Sequence, residues 1–401
     1  MNTLLALAIA IGVGLLFTRF INLIKLPHVT AYLIAGLVIG PYGLNVLTTN
    51  LNASLSILSD VALGFIAYSI GAEFKLSYLK EIGIKPIVIT AFEGCTASLF
   101  VFVTLCLLGQ PMPLCLALGA IAAATAPAAT LMVVRQYRAH GPVTKMLLPV
   151  VAMDDALGLM LYAIMMAVAR TIVSGAELSV MTLLVKPLIE IGGSLLLGLA
   201  LGVCLVLVLR FFHSRGNKLA LTLMFVFLAV GLSSLWGLSS LLVCMMLGAA
   251  MVNLYHQSNV MLEQCDRFTP PLFLMFFVLS GANLDLAVLP TVGVVGIAYV
   301  LARAVGKTLG GTMGAAVERC DRNIVRYLGL TLIPQAGVAI GMARMSATAL
   351  PEYSAVINAV VLSGTLIYEL TGPVITKIAL TRAGEITPAP RKVKAAQSAT
   401  N

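Results

Sequence analysis

Apolar stretches of membrane-crossing length, each closed by Gly, Pro or a knot of charge, recur along the chain. Thirteen result, at roughly 3–24, 29–46, 54–73, 86–109, 113–135, 144–170, 181–211, 218–236, 238–255, 268–284, 288–317, 325–348 and 354–380, and most approach the ~20 residues that cross a bilayer as a helix. The pattern predicts an all-α polytopic membrane protein. The first stretch lacks the basic start of a signal peptide, since Arg19 and Lys25 lie at its far end, so it is expected to stay in the membrane. Behind the transmembrane domain of residues 1–380, the polar, basic, Pro-containing residues 381–401 are expected to form a disordered cytoplasmic tail.

Composition excludes most soluble classes. Apolar residues make up 60% of the chain and charged residues 10%, against about 25% charged in a soluble domain, and the mean hydropathy is +1.03. Seven cysteines without a CxxC spacing read as small packing residues, with neither a disulfide framework nor a metal site. The net charge of +9 would suggest nucleic acid in a soluble protein. Here it follows topology. With alternate loops on alternate sides, Lys75, Lys80, Lys85, Arg135, Arg138, Lys145, Arg210, Arg215, Lys218, Arg319, Arg322 and Arg326 all fall on one side, and the other side has Arg170 alone in a loop. The positive side is the cytoplasm, which sets the N-terminus outside and the C-terminus inside, with lipid and not nucleic acid as the surrounding partner.

Thirteen divides as six, one and six, and an odd helix between equal halves inverts the second half relative to the first. The expected division is a first repeat at 1–170, a linker helix at 181–211 and a second repeat at 218–380. Ala31–Val46 matches Ser239–Leu254 at a shift of 208, aligning Gly40 with Gly248 and Asn45 with Asn253. Pro127 in AAATAPAAT and Pro334 in LIPQAGVAIG stand 207 apart. Proline removes a backbone donor in mid-helix, so two crossing helices are expected to break, with Thr125, Ala126, Pro127, Pro334, Gln335 and Gly337 as their unwound backbone.

Few ionisable residues lie deep in these segments, where each costs about 2.5–3.5 kcal/mol even on a lenient scale. Asp154 and Asp155 come ten and eleven residues after the start of their span, and Lys307 is ten from the cytoplasmic end of its own. At a ~1.5 Å rise per residue all three reach the level of the two breaks. Neighbouring helical residues point about 100° apart, so the two aspartates cannot share one partner. One can pair with Lys307 while the other faces a cavity. Desolvation favours a protonated carboxyl and a bound cation favours the ionised form, so H⁺ and Na⁺ would compete for its oxygens. Competition at a site exposed alternately to each side amounts to antiport. Glu93, Arg303 and Glu369, also deep, are expected to form a supporting salt-bridge network. The histidines all fall in or beside cytoplasmic loops and form no metal cluster.

At these residues the chain resembles the monovalent cation/proton antiporter superfamily, in its branch of bacterial sodium/proton antiporters with an Asp-Asp pair. The resemblance rests on LPHVTAYLIAGLVIGP, GFIAYSIGAEF, ATAPAAT, MDDALGL, FFVLSGANLDL, RAVGKTLG and LIPQAGVAIG. It implies that Asp155 is the main carrier of Na⁺ and H⁺, that Asp154 completes the cation site and pairs with Lys307, and that exchange is electrogenic. It also implies a role in pH homeostasis at the bacterial inner membrane. Lys307 would either neutralise Asp154 or release a proton when sodium arrives, the second being favoured. A homodimer through the first three helices of each half is expected, with no cofactor beyond the transported Na⁺ and H⁺.

Two departures from relatives matter. Ala126 stands where some carry an acid, and only a short tail follows the last span where potassium-efflux relatives carry a nucleotide-binding domain. Li⁺ as substrate, K⁺/H⁺ exchange on the same fold and, more remotely, sodium-coupled organic-anion symport remain open. An intramembrane aspartyl protease would need two carboxylates that meet, which neighbours on one helix do poorly, so no enzyme is expected. A channel would need a lined pore.

Overall fold

Apolar composition, together with the scarcity of the period-two alternation that a barrel strand needs, leaves the backbone one way to satisfy its polar groups in lipid, the helix. The computed structural model describes residues 2–23, 26–72, 74–77, 83–174, 185–212, 214–284 and 293–386, and it is all-helical. The helices are α1 Thr3–Leu23, α2 His28–Ile39, α3 Thr49–Ser54, α4 Ser56–Gly71, α5 Lys85–Leu107, α6 Met112–Ala122, α7 Pro127–Tyr137, α8 Pro142–Ser174 and α9 Lys186–Leu209. They continue as α10 Arg215–Trp236, α11 Ser240–Leu254, α12 Ser258–Phe268, α13 Pro270–Ala282, α14 Gly293–Val317, α15 Arg322–Thr331, α16 Gly337–Ala349 and α17 Ser354–Arg382. Among the described residues, 8 helical stretches are long and apolar enough to cross a membrane, and α2, α4, α11 and α13 are apolar but shorter.

Several boundaries differ from expectation. The segment predicted to 46 leaves the helix at Ile39, because Gly40-Pro41 ends it and the chain folds back with Leu44 N donating to Val38 O and Leu47 N to Ile39 O, both 2.8 Å. Residues 258–268, read as a connection, form the amphipathic helix α12. Residues 381–386, counted with the tail in the sequence, are part of the described structure. Glu385 is 4% exposed, and its carboxylate accepts from Val143 N (2.6 Å), Thr144 N (2.8 Å) and Thr144 Oγ1 (2.6 Å), capping the free amides at the start of α8. Residues 387–401, with 181–184 and 288–292 of two predicted spans, lie outside the described residues.

Two bundles arise. In one, α2 packs on α13 and α4 on α11, with α1, α9 and α10 alongside. The contacts are reciprocal: an added Cβ at Gly36 would lie 1.9 Å from Val278 O and at Gly281 2.2 Å from Leu33 O, as at Gly248 it would meet Tyr68 O at 2.1 Å and at Gly71 Met245 O at 1.8 Å. These backbones touch, which small residues permit in membrane helices. In the other bundle α5 lies along α14, α6 along α8, and α17 against α15 and α16. Helices α6 and α15 start 210 residues apart, at Met112 and Arg322, and so do α7 and α16, at Pro127 and Gly337. Along α5, α8 and α14 the second bundle has two apolar clusters, with the buried charges between them.

Candidate functional site

Both proline segments break. Helix α6 stops at Ala122 and α7 opens with Pro127 at its first position, where a missing N–H is harmless; α15 stops at Thr331 and α16 opens at Gly337. The two breaks meet, with Ala126 N donating to Pro334 O at 2.9 Å. Such breaks leave the last carbonyls of α6 and α15 without helical partners, and an apolar surrounding demands that something replace them.

Side chains from α14 do this. Arg303, fully buried, donates from Nε to Ala122 O (3.0 Å), from one terminal nitrogen to Ile333 O (2.7 Å) and from the other to Ala124 O (2.6 Å), tying both breaks together. Its guanidinium also lies 4.5 Å from the centre of the Tyr368 ring. Gln335 donates to Ile121 O at 3.1 Å and exchanges hydrogen bonds with the Tyr299 hydroxyl. Lys307 donates to Ala123 O and, at 2.7 Å, to Thr125 Oγ1.

Lys307 is also the centre of a charge cluster. Its ammonium lies 3.0 Å from Asp154 Oδ2 and 2.6 Å from Glu93 Oε2, and none of the three side chains is exposed. Asp155, 4% exposed, points elsewhere, and neither of its carboxylate oxygens has a hydrogen-bond partner. Only one of the two neighbouring aspartates thus meets the lysine, as the angle of about 100° between adjacent helical residues requires.

The geometry depends on glycine. Added Cβ atoms at Gly306, Gly310 and Gly314 of α14 would fall 2.7, 2.6 and 2.8 Å from the Cα atoms of Ala97, Glu93 and Ile89 on α5. This small-residue stripe brings α14 so close to α5 that Glu93 reaches Lys307 directly. The expected network of Glu93, Arg303 and Glu369 is therefore corrected: among the described residues these three form no ion pair with one another. Glu93 joins the lysine, Arg303 serves carbonyls, and Glu369 meets Ser280 Oγ at 3.2 Å from each carboxylate oxygen. Sequence reasoning missed Glu93 as a direct partner, although the spacing of Gly306, Gly310 and Gly314 was a usable signal.

A cavity of about 400 Å³ opens beside the start of α8, lined by Lys75, His140, Thr144, Lys145, Leu148 and Pro149 among others. Asp155 lies seven residues beyond Leu148, nearly two turns, on the same helical face. Gly158, one turn further, brings α8 past the first break, with its added Cβ 3.8 Å from Ala124 Cα.

A buried carboxylate without a protein partner, a paired lysine and two helix breaks that meet suit the capture and release of a small cation. The family described as "Sodium/hydrogen exchanger, transmembrane" matches residues 6–380. Among solved structures, the chain is similar to the sodium proton antiporter MjNhaP1 from Methanocaldococcus jannaschii at pH 8, with a TM-score of 0.75 at 19% identity, over 96% of this chain and 98% of that one. No curated protein matches the sequence.

Proposed function

The chain belongs to the sodium/hydrogen exchanger family, multi-pass membrane transporters and not enzymes, and from that premise we propose that it exchanges Na⁺ for H⁺ by alternating access, with Asp155 as the shared site. One observation carries the assignment: Asp155 is buried with both oxygens unpartnered, while Asp154 beside it is engaged by Lys307. An ionised carboxylate in that setting lacks compensation and must take up a proton or a cation. Na⁺ meets oxygen ligands there, and the broken helices offer backbone carbonyls at the same level.

In place of the proton release favoured from the sequence, this reading gives Lys307 the role of counter-charge, since it is held among Glu93, Asp154, Thr125 and Ala123 and stands between two carboxylates that would otherwise face each other without a cation. Thirteen crossings arranged as two inverted halves, a bacterial inner membrane, an N-terminus outside and a C-terminus in the cytoplasm complete the proposal. Reconstitution tests it. Purified protein in sealed vesicles is expected to acidify or alkalinise the lumen against an imposed Na⁺ gradient, with K⁺ and Li⁺ as comparisons, and Asp155→Asn is expected to reduce exchange to background while melting like the parent. Retained Na⁺-driven proton flux in Asp155→Asn removes the assignment.

A further inference from the structure

Among the described residues, Glu369 is a deep carboxylate that the ion cluster does not use. It sits on α17, 3% exposed, and Ser280 Oγ on α13 lies 3.2 Å from both of its oxygens. One hydroxyl proton shared between two oxygens at this distance makes at best a weak bifurcated hydrogen bond, and among the described residues no cation pairs with this group. Arg303, the nearest by element, is occupied by the carbonyls of the breaks and by Tyr368. Lys377, two turns further along α17, lies over the Tyr137 ring at 4.9 Å. An ionised Glu369 would be a buried charge facing one neutral donor, which is the costly case, whereas a carboxylic acid can itself donate to Ser280 and be satisfied.

The contact crosses between the two bundles. Ser280 belongs to α13, which is locked to α2 through Gly36 and Gly281, and Glu369 belongs to α17, where Gly372 abuts Pro334 of the second break with an added Cβ 2.8 Å from the ring. Motion of the ion-site bundle against the other would part Glu369 from Ser280. The same face of α17 carries Thr365, four residues before, and Thr376, seven after, and both hydroxyls are buried without a hydrogen-bond partner. With Glu369 these hydroxyls make a polar row along that face of the helix.

We propose that Glu369 is a second proton site, loaded while it bridges to Ser280 and emptied when the bundles shift. The carboxyl proton passes to water admitted along this row, leaving a carboxylate, and a proton taken from the opposite side restores the acid and the bridge. The idea rests on the antiport reading and supplies the additional proton that makes exchange electrogenic while Lys307 stays charged.

The test is Glu369→Gln, which keeps the volume and the contact with Ser280 but cannot lose a proton. In proteoliposomes under an imposed membrane potential, this variant is expected to exchange sodium with an unchanged apparent KM, to turn over about tenfold or more slowly, and to lose the parent's response to voltage. Glu369→Gln with parental rate and voltage response overturns the proposal, as does a parent exchanger that is itself indifferent to voltage. A parent that moves no protons on addition of sodium counts instead against the antiport reading. Should Glu369→Gln fail to fold, sodium-induced infrared difference spectra of the parent and of Ser280→Ala decide: a protonated-carboxyl band that shifts with Ser280→Ala supports the site, and one that does not move refutes it.

Discussion

The charge on Lys307 has more acceptors than any other side chain in the site, and its removal exposes what each partner was doing. Lys307→Gln leaves Glu93 and Asp154 close together without their shared cation, and breaking a buried pair from one side costs about 3–5 kcal/mol. A lower melting temperature in detergent is expected, and adding Glu93→Gln should recover part of the loss, because one of the two uncompensated acids is then gone. Equal stability of the single and double variants would mean that Glu93 is a bystander. That the two aspartates would not share one partner was legible in the sequence, since adjacent helical residues diverge by about 100°. The identity of Lys307's second partner was not. Glu93 lies 61 residues from Asp154 (154 − 93) and on a different helix, so only interhelical distance could reveal it.

At the scale of elements, the α5 and α14 pair sets that distance. The stripe of Gly306, Gly310 and Gly314 lets the two backbones meet, and Gly310→Ala would thrust a methyl to within 2.6 Å of Glu93 Cα. The helices must then separate or the cluster must distort, at about 1–3 kcal/mol. Gly231→Ala in α10, where nothing lies within 4 Å, serves as the control and should melt at or above the parent temperature. Similar melting of both variants would show that the stripe is not what holds Lys307 against Glu93. Pro127 and Pro334 announced the two breaks because proline in an apolar run has a local cause. The helix α12 did not announce itself, since its polar face makes it resemble a connection, and Glu385 went unnoticed because a cap depends on where a distant chain segment returns.

For the whole molecule, the bundles adhere differently within than between. Inside the first bundle, backbones touch at glycines such as Gly36, Gly71, Gly248 and Gly281. Across the boundary the described polar contacts include His28 N to Gln136 Oε1 at 2.8 Å, Arg135 to Asp266 at 3.0 Å and Ser280 to Glu369. Such a boundary can slide, as alternating access requires, if the first bundle is held still. The proposed homodimer would do this through α1, α2, α4, α10, α11 and α13. The exposed Leu4, Leu15, Leu16 and Phe20 of α1 provide apolar surface for it, and cysteine cross-linking at Leu15 in native membranes should yield dimers, whereas monomers alone would contradict the arrangement. Proton displacement is the central claim at every scale, and it can be measured without transport. Purified protein in weakly buffered detergent solution is titrated with NaCl, with choline chloride as the control, while a pH dye reads the medium. The account predicts that Na⁺ releases protons from the parent and none from Asp155→Asn; release of the same size from Asp155→Asn, or sodium binding to the parent without release, would contradict it.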